Sequence, residues 1–501
     1  MTELEPTSTT AFRFTTSILA GALSSYSVAR LLGIDVGTSG CKAVLIDESG
    51  QVLAQAAAEY PLSSPRPLWS EQNPEDWWDG VQSCLRELNP WAPDAIGLTG
   101  QMHGSVFLDE KDEVIRPAIL WNDQRTVAEC EEIERAVGPE RLREITCNPM
   151  LTGFQLPKLV WLRNHEPENF ARVRSVLLPK DYIRFKLSGA KATDVSDASG
   201  TGALDVPNRA WSQEILDKVG VPANWFPSVL ESFQVDGAAY ASGIPVVAGG
   251  GDQAAGAVGT GAVESGVVSV SLGTSGVVFT SLETAKADES GAAHTFCHAN
   301  GKWHAMGVML SCGGALRWYR DVLGDTNYDG LAALASDAPV GCEGLTFLPY
   351  LSGERCPHND PSARAVFAGA TLTHGKTHFA RSVFEGISFG LVEGLHLLQA
   401  LGAKADDVRV TGGGAKNHFW MQMLADVFRV PCSTLRVDEG PAFGAAILAG
   451  VGIGVWENVE KACRQTVQKT LWFEPSGSDY GKAYERFQRL YPTLRQWYRE
   501  E

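Results

Sequence analysis

Leu31-Leu32-Gly33-Ile34-Asp35-Val36-Gly37-Thr38-Ser39-Gly40 opens with an apolar run of strand length and breaks into a glycine-bounded turn. The same plan returns at Val267-Val268-Ser269-Val270-Ser271-Leu272-Gly273-Thr274-Ser275-Gly276, and in both places another apolar strand leaves the turn. A second pair repeats in the same order. Val246-Val247-Ala248 runs into Gly249-Gly250-Gly251, and Val408–Thr411 runs into Gly412-Gly413-Gly414. One match of four common residues is weak, but two different matches in the same order point to two α/β halves of similar architecture facing one cleft.

Outward from the first turn, Cys41–Asp47 and Val52–Tyr60 read as the next strands of a meander. Asn73-Pro74 starts a helix through Leu88, with a capping side chain and a proline at the first helical position. Ala95–Thr99 is a short buried strand ending at Gly100-Gln101-Met102-His103-Gly104. The middle holds a helix over Asp181–Leu187. Lys376 to Leu401 is a long helix, a further helix runs from about Asn417 to Phe428, and 440–450 is rich in glycine and alanine and reads as helical. Tyr480 to Trp497 is an amphipathic helix. On the long helix Ser382, Gly386, Gly390 and Gly394 form a stripe of small residues. Arg381, Glu385 and Glu393 argue against lipid, so the expectation is close packing on another helix. The expected boundaries are an extension over 1–30, domains over 31–262 and 263–465, and a helical tail over 466–501; 501 residues are too many for one core.

The chemistry concentrates at the ends of these strands. A Gly-Thr-Ser-Gly turn presents successive N–H groups and small hydroxyls with little steric cover, a nest suited to phosphate oxygens. As ordinary hairpins such turns mean nothing, but two on opposing halves (Thr38 and Ser39; Gly273, Thr274 and Ser275) could grip a triphosphate. Asp252, just past a buried strand, is placed to take a hydroxyl proton or simply to cap a helix, and both readings stay open. Asp35 beside the first turn suits Mg²⁺, which uses one or two carboxylates plus phosphates, or else stabilises the turn. Gly412-Gly413-Gly414 lets a flat adenine or ribose lie against the backbone. It is no dinucleotide fingerprint, because that spacing needs glycine at Asn417. His103 and Met102, in their glycine-bounded loop, suit a sugar hydroxyl and its carbon face, with Trp69, Trp121, Asn122, Asp123 and Arg125 as possible neighbours. Ala370 to Thr377 imitates a P-loop, but it lacks the glycines and a strong preceding strand. Gly375 there reads as a turn and Lys376 as a helix start.

Bulk properties exclude other classes. A net charge of −17 disfavours a nucleic-acid binder. No window approaches a membrane span. Ten scattered cysteines without a C-x-x-C pair fit reduced thiols in the cytoplasm better than a disulfide framework or a zinc site. The Ser/Thr-rich first thirty residues, with Glu3 and Glu5 but no basic n-region, read as a disordered extension or a misplaced start rather than as a targeting segment.

Together, Gly33–Gly40, Pro67-Leu68-Trp69-Ser70-Glu71-Gln72, Gly100–Gly104, Trp121-Asn122-Asp123, Leu178-Pro179-Lys180-Asp181-Tyr182, Gly250-Gly251-Asp252, Ser271–Gly276, Leu348–Arg355 and Gly412–Ala415 resemble the FGGY-type carbohydrate kinases over about 31–455. The Gln-Met-His-Gly loop narrows the resemblance to the branch acting on D-xylulose. The resemblance implies two actin-like, ribonuclease-H-like ATPase domains flanking a catalytic cleft, with MgATP and a small sugar as partners. Asp252 would be the base and Asp35 an acidic residue near Mg²⁺. Gln101, Met102, His103, Trp69, Asn122 and Asp123 would lie on the sugar side. Thr38, Ser39, Gly273, Thr274, Ser275, Gly413, Gly414 and Asn417 would lie on the nucleotide side. Gln253 departs from the asparagine the family pattern leads one to expect. The alternatives are a family kinase for ribulose, gluconate or glycerol, an actin-like ATPase without a sugar, and a catalytically dead sensor. Oligomeric state is left open, a homodimer included.

Overall fold

The computed structural model describes residues 28–239, 242–324, 326–437 and 440–500. The extension expected over 1–30 lies, for 1–27, outside the described residues. Ala29 and Arg30 are tied down, their amides donating to Glu48 Oε1 (2.9 Å) and Asp94 Oδ2 (2.7 Å).

The first half is built on a seven-stranded sheet. Its strands are β1 (Leu31–Val36), β2 (Gly40–Ile46), β3 (Val52–Glu59), β4 (Ala95–Gly100), β5 (Val235–Ala238), β6 (Pro245–Val247) and β7 (Gly250–Gly251). They lie in the order β5-β6-β4-β1-β2-β3, with β7 also on β4. β1 to β3 form the antiparallel meander, and β4 lies parallel to β1. The second half repeats this with β8 (Gly266–Leu272), β9 (Gly276–Leu282), β10 (Ala293–Cys297), β11 (Trp303–Met309), β12 (Ala405–Thr411), β13 (Cys432–Leu435) and β14 (Lys469–Phe473). Their order is β10-β11-β9-β8-β12-β13-β14. β8 and β9 are antiparallel, and β12 runs parallel to β8 as β4 does to β1. The repeated turns of the sequence are thus the first hairpins of two like-wound sheets, the duplicated ribonuclease-H-like plan.

The helices follow the sequence reading closely. α1 (Pro74–Leu88) is capped by Asn73, and α2 (Pro179–Ser188), α3 (Asp252–Thr260), α4 (Gly313–Leu323), α5 (Lys376–Ala400), α6 (His418–Phe428), α7 (Gly440–Gly452) and α8 (Gly481–Tyr498) come after it. Three arrangements differ from expectation. The small stripe of α5 packs on strands, not on another helix: a Cβ on Gly386 would stand 2.2 Å from the Phe347 carbonyl, and Gly390 faces Met309 of β11. Residues 469–498 add edge strand β14 and helix α8 to the second half, with Phe487 and Tyr491 buried in its core. Helix α7 follows β13 of the second sheet but lies on the first, with Ala442, Phe443, Ala446 and Ile447 buried against Leu31, Val44, Ile46 and Val258. Only glycine permits that approach. A Cβ would meet Ala442 O at 1.8 Å from Gly33, Ala445 O at 1.9 Å from Gly97, and Ala255 O at 1.8 Å from Gly444. Within the P-loop-like stretch, Gly375 is the residue before α5, and Lys376 begins that helix at the surface.

Candidate active site

The strand ends place two carboxylates side by side. Asp35 stands opposite Thr99 in the β1–β4 register, while Gly250 and Gly251 of β7 stand opposite Thr99 and Gly100 on the other edge of β4. Asp252 follows at once as the first residue of α3. Gly251, not Asp252, occupies the cap position, so the capping alternative falls to a glycine. Burial pushes the Asp252 carboxyl up to about 6, opposed by hydrogen bonds from Gln253. Burial first, and then the charge of Asp252, pushes Asp35 up to about 7 against the pull of Lys42. Asp35 Oδ1 is sealed from solvent without a hydrogen-bond partner. An orphaned carboxylate oxygen beside a second carboxyl fits a hard cation that brings its remaining ligands with a nucleotide. Among the described residues no group of three or more His, Cys, Asp or Glu forms a complete metal cage.

Met102 lies over the backbone that carries Asp252: a Cβ on Gly251 would meet its Cγ, Sδ and Cε at 2.9–3.1 Å. His103 sits at φ +67°, in the left-handed region that strains a side-chain-bearing residue. Its Nδ1 is 2.6 Å from Gly200 O. A carbonyl only accepts, so Nδ1 carries the proton and Nε2 is left as an acceptor. Burial, with Lys158 adding to it, lowers this imidazole to about 3 and keeps it neutral. Lys158, fully buried on helix Gln155–His165, holds the loop by donating to His103 O (2.7 Å) and Gly153 O (2.6 Å). Burial depresses its own pKa to about 7. Sequence reasoning missed Lys158; a lysine in a helix is ordinarily a surface residue.

The other sugar-side candidates divide. Gln101 is buried and points to the first turn, donating to Gln72 Oε1 (3.0 Å) and Gly37 O (3.4 Å) and accepting from Thr38 Oγ1 (3.2 Å). Trp121 Nε1 donates to the same Thr38 hydroxyl at 3.0 Å. Asp123 is buried, and both its oxygens are taken up by Ser70 N and Arg125. Trp69 lies under the Arg125 guanidinium at 3.6 Å and shares an open surface groove with Asn122. Asp123 and Arg125 therefore anchor Trp69, and Asn122 stays at the rim.

On the other side, Gly273, Thr274, Gly413, Gly414 and Asn417 come together with Leu272, Leu316, Tyr328 and Trp420 around a cavity of about 590 Å³. Ser275, Thr38 and Ser39 do not line it. The carbonyls of Gly273 and Thr274 accept from the amides of Gly313 and Gly314, so the second turn seats the start of α4. Asn417 caps α6 through the Trp420 amide (2.9 Å). Leu316, Tyr328 and Trp420 carry no motif and were not visible in the sequence. A second cavity of about 310 Å³ runs from Asp252 and Gln253 past Ser269 and Ser271 to Thr411 and Gly412. Its walls include Ser271 and Gly412, the residues that precede Leu272 and Gly413 of the first cavity in the chain, so both cavities lie at the ends of the same two strands, β8 and β12.

Models of the FGGY family of carbohydrate kinases match this chain over residues 30–259 for the N-terminal domain and 268–453 for the C-terminal domain. It is 42% identical over 483 residues to the xylulose kinase of Escherichia coli K12, covering 94% of this chain and 98% of the relative. It is 38% identical to that of Bacillus subtilis 168 over 93% and 96%. Its fold matches a ligand-bound xylulose kinase from Lactobacillus acidophilus with a TM-score of 0.89 at 28% identity, over 94% of this chain and all of that one. The two-domain fold thus has its counterpart in known enzymes, and the chain belongs to the FGGY family of carbohydrate kinases, which makes it an ATP-dependent sugar kinase.

Proposed function

We propose that this kinase phosphorylates D-xylulose to D-xylulose 5-phosphate, with Asp252 as general base. The observation that carries the reading is that the cavity at Asp252 is walled by both halves and lies at the ends of β8 and β12, the strands that also lead into the Gly273–Gly413 pocket. A hydroxyl held at Asp252 then faces a triphosphate entering from the second domain. Phosphoryl transfer asks for positioning and charge stabilisation more than covalent chemistry. The sugar oxygen bonds to the γ-phosphorus, the bond to the β–γ bridging oxygen breaks, and the Asp252 carboxylate accepts the hydroxyl proton. A pKa near 6 leaves this group mostly ionised at neutral pH yet basic enough to take a proton late in the reaction.

Neutral His103, through Nε2, accepts from a sugar hydroxyl, and Met102 packs on the carbon skeleton. Gln101, Asp123 and Lys158 position the surrounding loops. Trp69 and Asn122 form the outer rim. Gly273, Thr274, Gly413, Gly414 and Asn417 hold ATP, and Thr38 and Ser39 approach its phosphates from the first domain. Asp35, with its unsatisfied oxygen, would hold Mg²⁺ directly or through water, and that ion would supply positive charge to the phosphates. Residues 31–262 act as the sugar domain and 263–465 as the nucleotide domain. Among the described residues no helix is long and apolar enough to cross a membrane. The ten cysteines are buried and unpaired, which supports a cytoplasmic setting.

Xylulose is chosen over other ketoses and polyols on the Met102-His103 loop and on the names of the relatives most like this chain. A coupled ADP-release assay with D-xylulose, ribulose, gluconate and glycerol tests it. D-Xylulose should give the highest kcat/KM of the four, and a better substrate among the others would replace it.

A further inference from the structure

The turn that carries Asp252 is held in place by a carboxylate that the reaction does not touch. That turn, Gly249-Gly250-Gly251, has no side chain with which to pack, and glycine leaves its backbone free. Its fixing comes from outside. The Gly251 amide donates to Ser196 Oγ at 3.1 Å, and the Gly249 amide donates to Ser232 O at 2.8 Å. Both serines are buried, and both hydroxyls donate to one oxygen, Oδ2 of Asp194, that of Ser232 at 2.7 Å. The Ser196 amide reaches the same oxygen at 2.8 Å. A Cβ on Gly250 would stand 3.3 Å from Ser196 Oγ, so the serine is seated against the turn itself.

A carboxylate only accepts, so the Ser196 proton points to Asp194 and a lone pair is left for the Gly251 amide. The relay therefore has one direction, from amide to hydroxyl to carboxylate. On its other oxygen Asp194 meets Lys180 Nζ of α2 at 3.0 Å. Lys180 also contacts Asp181 (2.5 Å) and Asp197 (3.6 Å), and all four side chains are sealed from solvent. A buried charge is costly unless it is paired, and here the ammonium lets Asp194 remain an acceptor at both oxygens. Asp194 ends the short strand Ala192–Asp194 and caps the helical turn Val195–Ala198, which places Ser196 two residues on. Neither Asp194 nor Ser196 lines the cavity at Asp252 or the Gly273–Gly413 pocket, so their contribution is to the turn and not to a substrate.

We infer that Ser196, oriented by Asp194, is a positioning residue for phosphoryl transfer: it fixes the peptide from which Asp252 reaches the sugar hydroxyl. This rests on the reading of Asp252 as the base. The amide held by Ser196 belongs to the residue before Asp252, so a loosened turn moves that carboxylate before it moves either substrate. The loss then falls on the chemical step and spares binding. A serine that only stabilised the core would lower the melting temperature and leave the rate of the folded enzyme alone.

Kinetics of the full chain with D-xylulose and ATP test this in Ser196→Ala, Asp194→Asn, Asp252→Asn and the double variant Ser196→Ala/Asp252→Asn. Ser196→Ala should lower kcat by about tenfold and leave both KM values within about twofold. Asp194→Asn should lose at least as much, because an amide nitrogen facing Lys180 sets donor against donor. Ser196→Ala keeps the Asp194–Lys180 pair, so it decides the matter even where Asp194→Asn weakens the fold. In the Asp252→Asn background Ser196→Ala should cost little more, since a group that acts through Asp252 has nothing left to position. An unchanged kcat in Ser196→Ala overturns the inference, as does a loss of equal size in the presence and absence of the Asp252 carboxylate. If Asp252→Asn alone turns over like the parent, the reading of the base fails first, and that outcome is read separately from the Ser196 variants.

Discussion

Asp35 and Asp252 crowd each other across the end of the strand Ala95–Gly100, and the crowding decides how the site titrates. The charged form of each is disfavoured by burial, and Asp35 is further raised by its neighbour's charge. The base must be ionised to accept a proton, so activity is present above its pKa and lost as pH falls through about 6. A pH profile of kcat/KM for D-xylulose should fall by about tenfold per unit on the acid side of that value, and a flat profile down to pH 4 would remove a titrating base from the free enzyme. His103 belongs to the same scale. Its imidazole is neutral throughout, so His103→Ala should raise the KM for the sugar and leave that for ATP nearly unchanged. An unchanged sugar KM would dissociate the 100–104 loop from the substrate. Both residues were legible in the sequence because each follows a strand at a glycine-marked end. Lys158 was not, because only the folded chain shows that its ammonium is spent on two backbone carbonyls of that loop.

Among the elements, helix Gly440–Gly452 shows where sequence reading stopped. Its glycine- and alanine-rich composition announced a helix, but periodicity does not say which sheet it meets. It crosses from the second half to pack on the first sheet and on the helix that begins with Asp252, through contacts that leave no room for a Cβ at Gly33, Gly97 or Gly444. Gly444→Ala should therefore lower the melting temperature, with a loss of about 1–3 kcal/mol or more for overpacking a close contact. A melt equal to the parent's would show that the helix can retreat at no cost. The stripe on helix Lys376–Ala400 carries the same lesson. Small residues signalled close approach correctly, while the partner proved to be the strand-borne backbone at Phe347 and the side chain of Met309. Strands and hairpins were legible because alternation and glycine turns are local signals. The walls of the glycine-lined cavity in the second half were only half legible. Gly273 and Gly413 mark themselves, whereas Leu316, Tyr328 and Trp420 are ordinary core-type residues until the fold sets them around one space.

At the scale of the molecule, two sheets with the same central strand order frame one cavity that neither half contains alone. Asp252 supplies one wall and Ser271, Thr411 and Gly412 the other, so approach of the domains changes the distance over which the phosphoryl group must move. Sugar binding should draw the halves together and exclude water. The radius of gyration by small-angle scattering should fall when D-xylulose is added with a non-hydrolysable ATP analogue, and equal values with and without sugar would leave the cleft rigid. The central claim remains that Asp252, at the meeting of the domains, takes the proton of the attacking hydroxyl. It is tested most directly by single-turnover formation of ADP with D-xylulose in Asp252→Asn beside the parent chain, with ATP binding measured by calorimetry on both. The account predicts a loss of about 10²–10⁴ in rate with ATP affinity retained; a rate within a few-fold of the parent in a variant that still binds ATP would contradict it.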